Sequence, residues 1–355
     1  MDTFVVSARK YRPQTFNTVV GQESITTTLQ NAIQNNHLAQ AFLFCGSRGV
    51  GKTTTARILA KTINQDGNEN PEEDFAFNIF ELDAASNNSV DDIRNLIDQV
   101  RIPPQVGKYK VYIIDEVHML SQAAFNAFLK TLEEPPKHAI FILATTEKHK
   151  ILPTILSRCQ IFDFHRIKIH DIVNHLKSIA EKESIKYEEK ALHIIAQKAD
   201  GGLRDALSIF DQIVSFTNNN ITYDAVLENL NVLDYDYYFK IVDNALNNEI
   251  HETLGLYNDV LSKGFEGAQF MVGLAEHLRN LLICLSPKTS ALLEVPSEIE
   301  ARFGEQAART NTQFLLLGLD LWRDTEMQYK GSIHKRLTVE IALMKLCSIN
   351  KAQES

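Results

Sequence analysis

Residues 45–64 read CGSRGVGKTTTARILAKTIN, and Gly46 to Thr53 within them have the form G-x-x-x-x-G-K-T. The run ahead of them, QAFLFC (Gln40–Cys45), is apolar and of strand length. The run behind them places Ala56, Leu59, Ala60 and Ile63 at i, i+3, i+4 and i+7, one face of a helix. A strand, a glycine-rich loop and a helix in that order form the setting in which this pattern cradles phosphate. Gly46, Gly49 and Gly51 let the backbone turn so that successive N–H groups face one anion. The helix N-terminus adds favourable partial charge. The expected nucleotide-binding set is therefore Gly46, Ser47, Gly49, Val50, Gly51, Lys52, Thr53 and Thr54. Within it Lys52 reaches the β- and γ-phosphates and the Thr53 hydroxyl ligates Mg²⁺. The competing reading, a chance glycine turn before a helix, does not account for the strand in front.

Further runs of strand character follow at NIFEL (Asn78–Leu82), KVYIID (Lys110–Asp115) and AIFILATT (Ala139–Thr146). Helical periodicity lies between them. In QAAFNAFLKTLEEPP, Phe125, Phe128, Leu129 and Leu132 share a face, and the prolines end the helix. Alternation of this kind predicts an α/β core, a parallel sheet with helices on both sides. Ligands of such sheets bind at the carboxyl ends of the strands. There VYIIDE presents two acids, Asp115 to hold Mg²⁺ with Thr53, and Glu116 to orient or deprotonate an attacking water. Thr146, at the end of another strand, is placed to hydrogen-bond that water or the γ-phosphate.

After about Arg166 the strand signals stop. Three helical stretches joined by short polar turns follow, and from about Val232 the pattern remains helical to the end. The domains expected are 1–167, an α/β nucleotide-binding core; 168–231, a small helical domain; and 232–355, an all-α C-terminal domain. The polar stretch NQDGNENPEEDF (Asn64–Phe75) reads as an exposed loop.

Of the 355 residues, 44% are hydrophobic and 23% charged, ordinary values for a globular protein, and the net charge of −9 argues against a surface coated in basic residues. No apolar run is long enough to span a bilayer. The start, MDTFVVSARKYRPQTF, lacks the apolar core and cleavage site of a secretory signal. Cys45, Cys159, Cys284 and Cys347 lie far apart, none at metal-ligand spacing. A reducing cytoplasmic location, with no membrane partner, is the expectation.

The combination of YRPQTF…VVGQE, GSRGVGKTTTARILA, ELDAASNNSVDDIR, YIIDEVHMLSQAAFNAFLKTLEEPP, ATTEKHKILPTILSRCQ and GGLRDALS closely resembles the gamma/tau family of bacterial DNA polymerase III subunits, which are AAA+ clamp-loader ATPases. The resemblance covers essentially the whole chain, and its specific motifs lie in Ser7 to Asp211. It implies a motor that couples ATP hydrolysis to opening a sliding clamp and closing it on primed DNA. Lys52, Thr53, Asp115 and Glu116 fall on the family's phosphate-loop and acidic positions, and Thr146 on its first sensor. Arg158 matches the arginine finger that reaches into a neighbouring subunit's site, and Arg204 the second sensor, on the lid. Ala8 to Tyr11 and Val19 to Gly21, Val20 included, match the adenine-side pocket. The C-terminal helices match the family's collar, which implies assembly with delta- and delta-prime-type subunits and with further copies of the chain.

Two departures follow. Family members usually carry a four-cysteine zinc module after the phosphate loop. Here NQDGNENPEEDFAF stands in that place, without cysteine or histidine, so no zinc is expected. The chain also ends at Ser355, just past the collar. That implies a gamma-type portion, with polymerase and helicase contacts left to further C-terminal domains. For DNA, ASNNSVDDIRNL offers a polar helix start with Ser86 and Ser89 as caps. Arg94, Arg101 and Lys108 are candidate phosphate contacts, weighed against ordinary surface charges balancing Asp91, Asp92 and Asp98. Two other functions fit the fold. A non-hydrolysing scaffold is disfavoured by the intact Lys52, Thr53, Asp115 and Glu116. A branch-migration helicase is disfavoured by SRC and LEEPP; a three-helix collar rather than a winged DNA-binding domain would decide between them.

Overall fold

Buried parallel strands have apolar residues on both faces, and three of the five strands here, the first, third and fourth, follow that rule. In this computed structural model, which describes residues 5–65, 77–105, 107–289 and 292–349, the five are β1 (Ala41–Cys45), β2 (Ile79–Asp83), β3 (Lys110–Asp115), β4 (Ala139–Thr145) and β5 (Gln160–Asp163). They pair in parallel in the order β2–β3–β4–β1–β5. Leu43 of β1 lies between Leu143 of β4 and Ile161 of β5. The fifth strand is one that the sequence reading did not anticipate. It is four residues long, and Gln160, Ile161 and Asp163 are exposed while Phe162 alone is buried, so it lacks the continuous apolar run of the central strands.

Among the described residues, nine helices accompany the sheet and the segment after it: α1 (Ser7–Lys10), α2 (Glu23–Gln34), α3 (Lys52–Thr62), α4 (Val90–Val100), α5 (Gln122–Glu133), α6 (Pro153–Leu156), α7 (Ile169–Lys182), α8 (Glu189–Lys198) and α9 (Leu203–Thr217). Strand alternation divides the core in two. Phe42, Phe44, Val111, Ile113, Ile140 and Ile142 pack with Ile25 and Leu29 of α2 and with Ala56, Leu59 and Ala60 of α3. Leu43, Tyr112, Ile114, Phe141 and Leu143 point the other way, onto α4 and onto Ala124, Phe125, Phe128 and Leu132 of α5. Leu129, expected on the same face of α5, is only partly buried. Ser89 caps α4: its hydroxyl accepts the Asp92 N–H at 3.2 Å, and the Asp92 carboxylate accepts the Ser89 N–H in return. Ser86 is not a cap; its hydroxyl bonds Asp83 at 3.4 Å.

By contacts the chain divides into two compact units. One holds residues up to 187 with Ile195–Asn220, and the other Glu188–Ile194 with residues from Ile221 onward. The second unit contains α10 (Tyr223–Leu230), α11 (Tyr235–Leu246), α12 (Ile250–Ser262), α13 (Gly267–Cys284), α14 (Ser297–Ala307), α15 (Thr312–Gly331) and α16 (Lys335–Ser348). The last six share one core around Phe239, Phe270, Leu274, Phe303, Phe314 and Trp322. Among the described residues the C-terminal region is thus a six-helix body rather than a three-helix one, with no strand after Thr222. Of the stretch 64–75, expected as an exposed loop in the place of a zinc module, Asn64 is instead buried, its side-chain oxygen accepting the Tyr109 N–H at 2.8 Å, and residues 66–75 lie outside the described residues. Among the described residues no group of three or more His, Cys, Asp or Glu is arranged to hold a metal, and no helix is long and apolar enough to cross a membrane.

Candidate nucleotide-binding site

The loop between β1 and α3 turns on three glycines of positive φ, Gly46 (148°), Gly49 (78°) and Gly51 (103°). At Gly46 a Cβ atom would stand 2.5 Å from the Phe164 carbonyl oxygen; at Gly49 it would meet the Gly202 Cα at 3.3 Å and the Arg204 Cβ at 3.4 Å. Only glycine fits at Gly46, a side chain at Gly49 is strained by its positive φ, and the tip of the loop lies against the start of α9.

Lys52 opens α3 and is 6% exposed. Its ammonium donates to the carbonyls of Gly46 and Ser47, at 2.7 and 2.8 Å, and has no carboxylate within ion-pair distance among the described residues. Burial lowers its pKa, opposed by the negative charges of Glu116 and Asp115. A buried cation with neutral partners is suited to an incoming anion. The residue donors around it fit a Mg²⁺-nucleotide: Thr53 Oγ1 donates to Asp115 Oδ2 at 2.7 Å, which places a hydroxyl and a carboxylate, both hard oxygen ligands, together at the loop.

Glu116 follows directly and adopts a left-handed backbone (φ 47°), an uncommon state for a non-glycine residue and one that clusters at functional sites. Its N–H donates to Asp115 Oδ1 at 2.9 Å. Its Oε2 accepts from Thr146 twice, from Oγ1 at 3.0 Å and from the backbone N–H at 3.3 Å. Lys52, Thr53, Asp115, Glu116 and Thr146 are thereby brought to one end of the sheet, the carboxyl ends of β1, β3 and β4.

A cavity opens beside the loop. Gly49, Val50, Gly51, Lys52, Thr53 and Thr54 line it on one side; Ala8, Tyr11, Val19 and Val20 line it on another, and Arg204 of the lid on a third. The segment carrying Ala8 and Tyr11 is fastened to the lid. Ser7 donates to Asp211 of α9 through its backbone N–H at 2.7 Å and through its hydroxyl, and both Lys10 and Tyr11 donate to Glu183 at the end of α7. Gly46, Ser47 and Thr146 face an adjoining depression instead.

Arg158 is not among the residues lining this cavity. It stands one-third exposed beyond α6, donating to Thr154 O at 2.6 Å and to Glu133 at 2.5 Å. Arg94 is exposed on α4, 3.4 Å from Asp91. Arg101 and Lys108 are exposed beyond it, the Lys108 ammonium lying 5.1 Å from the Tyr109 ring centre.

Two participants escaped the sequence reading. Arg12 lines the cavity, and burial, with the like charges of Arg57 and Arg204, pushes its pKa down. His118 touches both Glu116 and Glu147. Each lay within a quoted motif, YRPQTF and DEVHML, but neither has a spacing that reports what it meets.

Three family models match in succession: "DNA polymerase III, delta subunit" over residues 21–168, "DNA polymerase III clamp loader subunit, ATPase lid domain" over 171–219, and "DNA polymerase III subunits gamma and tau domain III" over 221–354. DNA polymerase III subunit tau of Bacillus subtilis is 41% identical across 96% of this chain and 62% of its own length. The tau subunit of Escherichia coli is 38% identical across 97% of this chain and 55% of its own length. The chain thus spans between half and two-thirds of these tau relatives. Subunit gamma of Buchnera aphidicola (strain Bp) is 34% identical, and the match covers 97% of each chain. Among solved structures, Thermotoga maritima RuvB matches with a TM-score of 0.51 at 20% identity, over 71% of this chain and 88% of that one. That likeness establishes an AAA+ type fold.

Proposed function

The chain belongs to the gamma/tau family of DNA polymerase III subunits, and on that premise we propose that it is an ATP-hydrolysing motor subunit of a sliding-clamp loader. The observation that carries this reading is the convergence of Lys52, Thr53, Asp115, Glu116 and Thr146 at one end of the sheet, beside a cavity that Arg204 of the lid also lines. A scaffold without hydrolysis has no use for a carboxylate held by Thr146 in a strained turn.

In this reading the loop N–H groups and Lys52 bind the phosphates of ATP, and Ala8, Tyr11, Val19 and Val20 enclose its base. Mg²⁺, held by Thr53 and Asp115, supplies charge neutralisation at the β- and γ-phosphates. Glu116 takes the proton of the attacking water, and Thr146 keeps that carboxylate aimed. Arg204 closes on the nucleotide from the lid. Arg158 lies outside its own chain's cavity and is exposed in part, which suits a residue that completes a neighbour's site. No zinc takes part.

The functional division we propose is 1–167 for the core, 168–231 for the lid and 232–355 for the collar, supported by the family models that meet near residues 170 and 220. The partners are delta- and delta-prime-type subunits, further copies of this chain, the clamp and primed DNA, in a bacterial cytoplasm. Arg94, Arg101 and Lys108 contact DNA phosphates without reading sequence. The reading is tested by ATP turnover of the assembled loader with clamp and primed DNA added separately and together. Stimulation by both supports it. An assembly that binds ATP but never hydrolyses it returns the chain to the scaffold class.

A further inference from the structure

His118 has both ring nitrogens engaged in a nearly closed environment. Its side chain is 6% exposed, with Nδ1 3.4 Å from Glu116 Oε2 and 3.0 Å from Thr145 Oγ1. On the other side of the ring, Nε2 lies 3.3 Å from Glu147 Oε1. The Thr145 hydroxyl oxygen also accepts the Glu147 N–H at 3.0 Å, so Thr145 and Glu147, themselves joined, meet the two ring nitrogens on opposite sides. The ring edge then forms a wall against which Glu116 Oε2 rests, while Thr146 holds that same oxygen through two donors.

This arrangement joins three consecutive residues at the end of β4, Thr145, Thr146 and Glu147, to the strained turn at Glu116. Glu147 differs from the others in reaching the surface. It is 35% exposed and bonds Lys150 at 2.9 Å, with His149 3.6 Å away. A continuous set of polar contacts thus runs from the surface, through a buried ring, to the carboxylate at the phosphate loop.

We propose that His118 is a positioning residue that fixes the Glu116 carboxylate and ties its placement to Glu147 at the protein surface. The inference rests on the reading of Glu116 as the water-activating group. His118 touches no reacting atom; it acts on hydrolysis by limiting where Glu116 points. A displaced base loses turnover while nucleotide affinity, set by Lys52 and the loop N–H groups, is unaffected. A change in the contacts of Glu147 alters turnover only through the ring.

The test is kcat for ATP hydrolysis by the assembled loader with clamp and primed DNA, alongside equilibrium nucleotide affinity. His118→Ala lowers kcat by about 10- to 100-fold, as expected for a misplaced catalytic group, and leaves affinity within about twofold. Glu147→Gln, at a partly exposed position and of the same shape, lowers kcat by a smaller factor. The double variant is no slower than His118→Ala alone, because Glu147 acts through the ring. His118→Asn keeps an amide near Nδ1 but does not reach Glu147; it recovers part of the lost kcat and is indifferent to Glu147→Gln. That pair carries the test if His118→Ala does not fold. An unchanged kcat in the folded His118 variants, or a Glu147→Gln effect that is absent or fully multiplicative with His118→Ala, overturns the proposal. A wild-type assembly that does not hydrolyse ATP removes the reading of the site itself, a result distinct from a working wild type with an indifferent His118.

Discussion

Lys52 carries a charge into a buried position where, among the described residues, two carbonyl oxygens receive it, and in the proposed function an entering phosphate gives that charge its counterpart. Replacing it with alanine removes a charge-assisted contact, so Lys52→Ala is expected to weaken ATP binding by about 100-fold or more. Glu116→Gln keeps the shape and the loop, and is expected to retain affinity while losing about 10²- to 10⁴-fold in hydrolysis. Equilibrium binding and single-turnover hydrolysis on both variants separate the two effects; a Glu116→Gln assembly with near-normal turnover contradicts the role given to Glu116. These residues were legible because local chain geometry fixes their spacing: a loop, one helical turn, one strand end. Arg12 and His118 were not. Arg12 meets the cavity, and His118 meets Thr145, only after the chain has folded back on itself.

At the scale of elements, α4 is the one whose capping is clearest in the sequence and whose function is least so. Ser89 and Asp92 close its start reciprocally, and Ile93, Leu96 and Val100 anchor its inner face. Its outer face leaves Arg94 to solvent beside Asp91, an exposed pair that contributes little to stability. The arginine is therefore available to another anion. Arg94→Ala combined with Lys108→Ala is expected to weaken binding of primed DNA by the loader, to reduce the slope of log affinity against log salt by about one to two, and to leave nucleotide affinity unchanged. An unchanged salt slope assigns both residues to ordinary surface charge. The same contrast explains which strands were readable. β3 and β4 are buried almost throughout and declare themselves as apolar runs. β5 buries Phe162 alone, and its place in the sheet comes from pairing with β1 rather than from its own composition.

At the scale of the whole molecule, each unit has a core of its own, and the second carries a buried polar group with a pH consequence. His277 Nε2 lies 2.7 Å from Gln306 Oε1, whose amide donates to Phe239 O and Asp243. Phe239 and Phe303 crowd the ring. Burial holds the imidazole neutral and lowers its pKa to about 4. Above about pH 6.5, the ordinary histidine value, both folded and unfolded states are neutral and the group is silent. Below it the unfolded chain takes up a proton that the folded one refuses, so stability falls as pH drops, by about 3 kcal/mol on reaching pH 4. Urea titrations of the full chain between pH 7.5 and 4.5 are expected to show this loss, and His277→Phe to flatten it; an equally steep loss in the variant places its origin elsewhere. The all-helical C-terminal half was legible as periodicity, but its six-helix count was not, because helix number depends on where turns interrupt a nearly continuous helical pattern.

Assembly is also a question at this scale, and the proposed function makes it turn on Arg158. The residue is paired with Glu133 and lies away from the cavity of its own chain, yet an arginine entering from a neighbour stabilises charge that appears only in the transition state and is worth about 10³- to 10⁵-fold in turnover. The most direct measurement is steady-state ATP hydrolysis by the assembled loader, with clamp and primed DNA present, for the wild-type chain and for Arg158→Ala. The wild type is expected to hydrolyse slowly alone and much faster with both partners. Arg158→Ala is expected to bind ATP as before and to lose the stimulated rate. Full stimulated turnover by Arg158→Ala, or no hydrolysis by the wild type in any combination, contradicts a motor whose sites are completed by their neighbours.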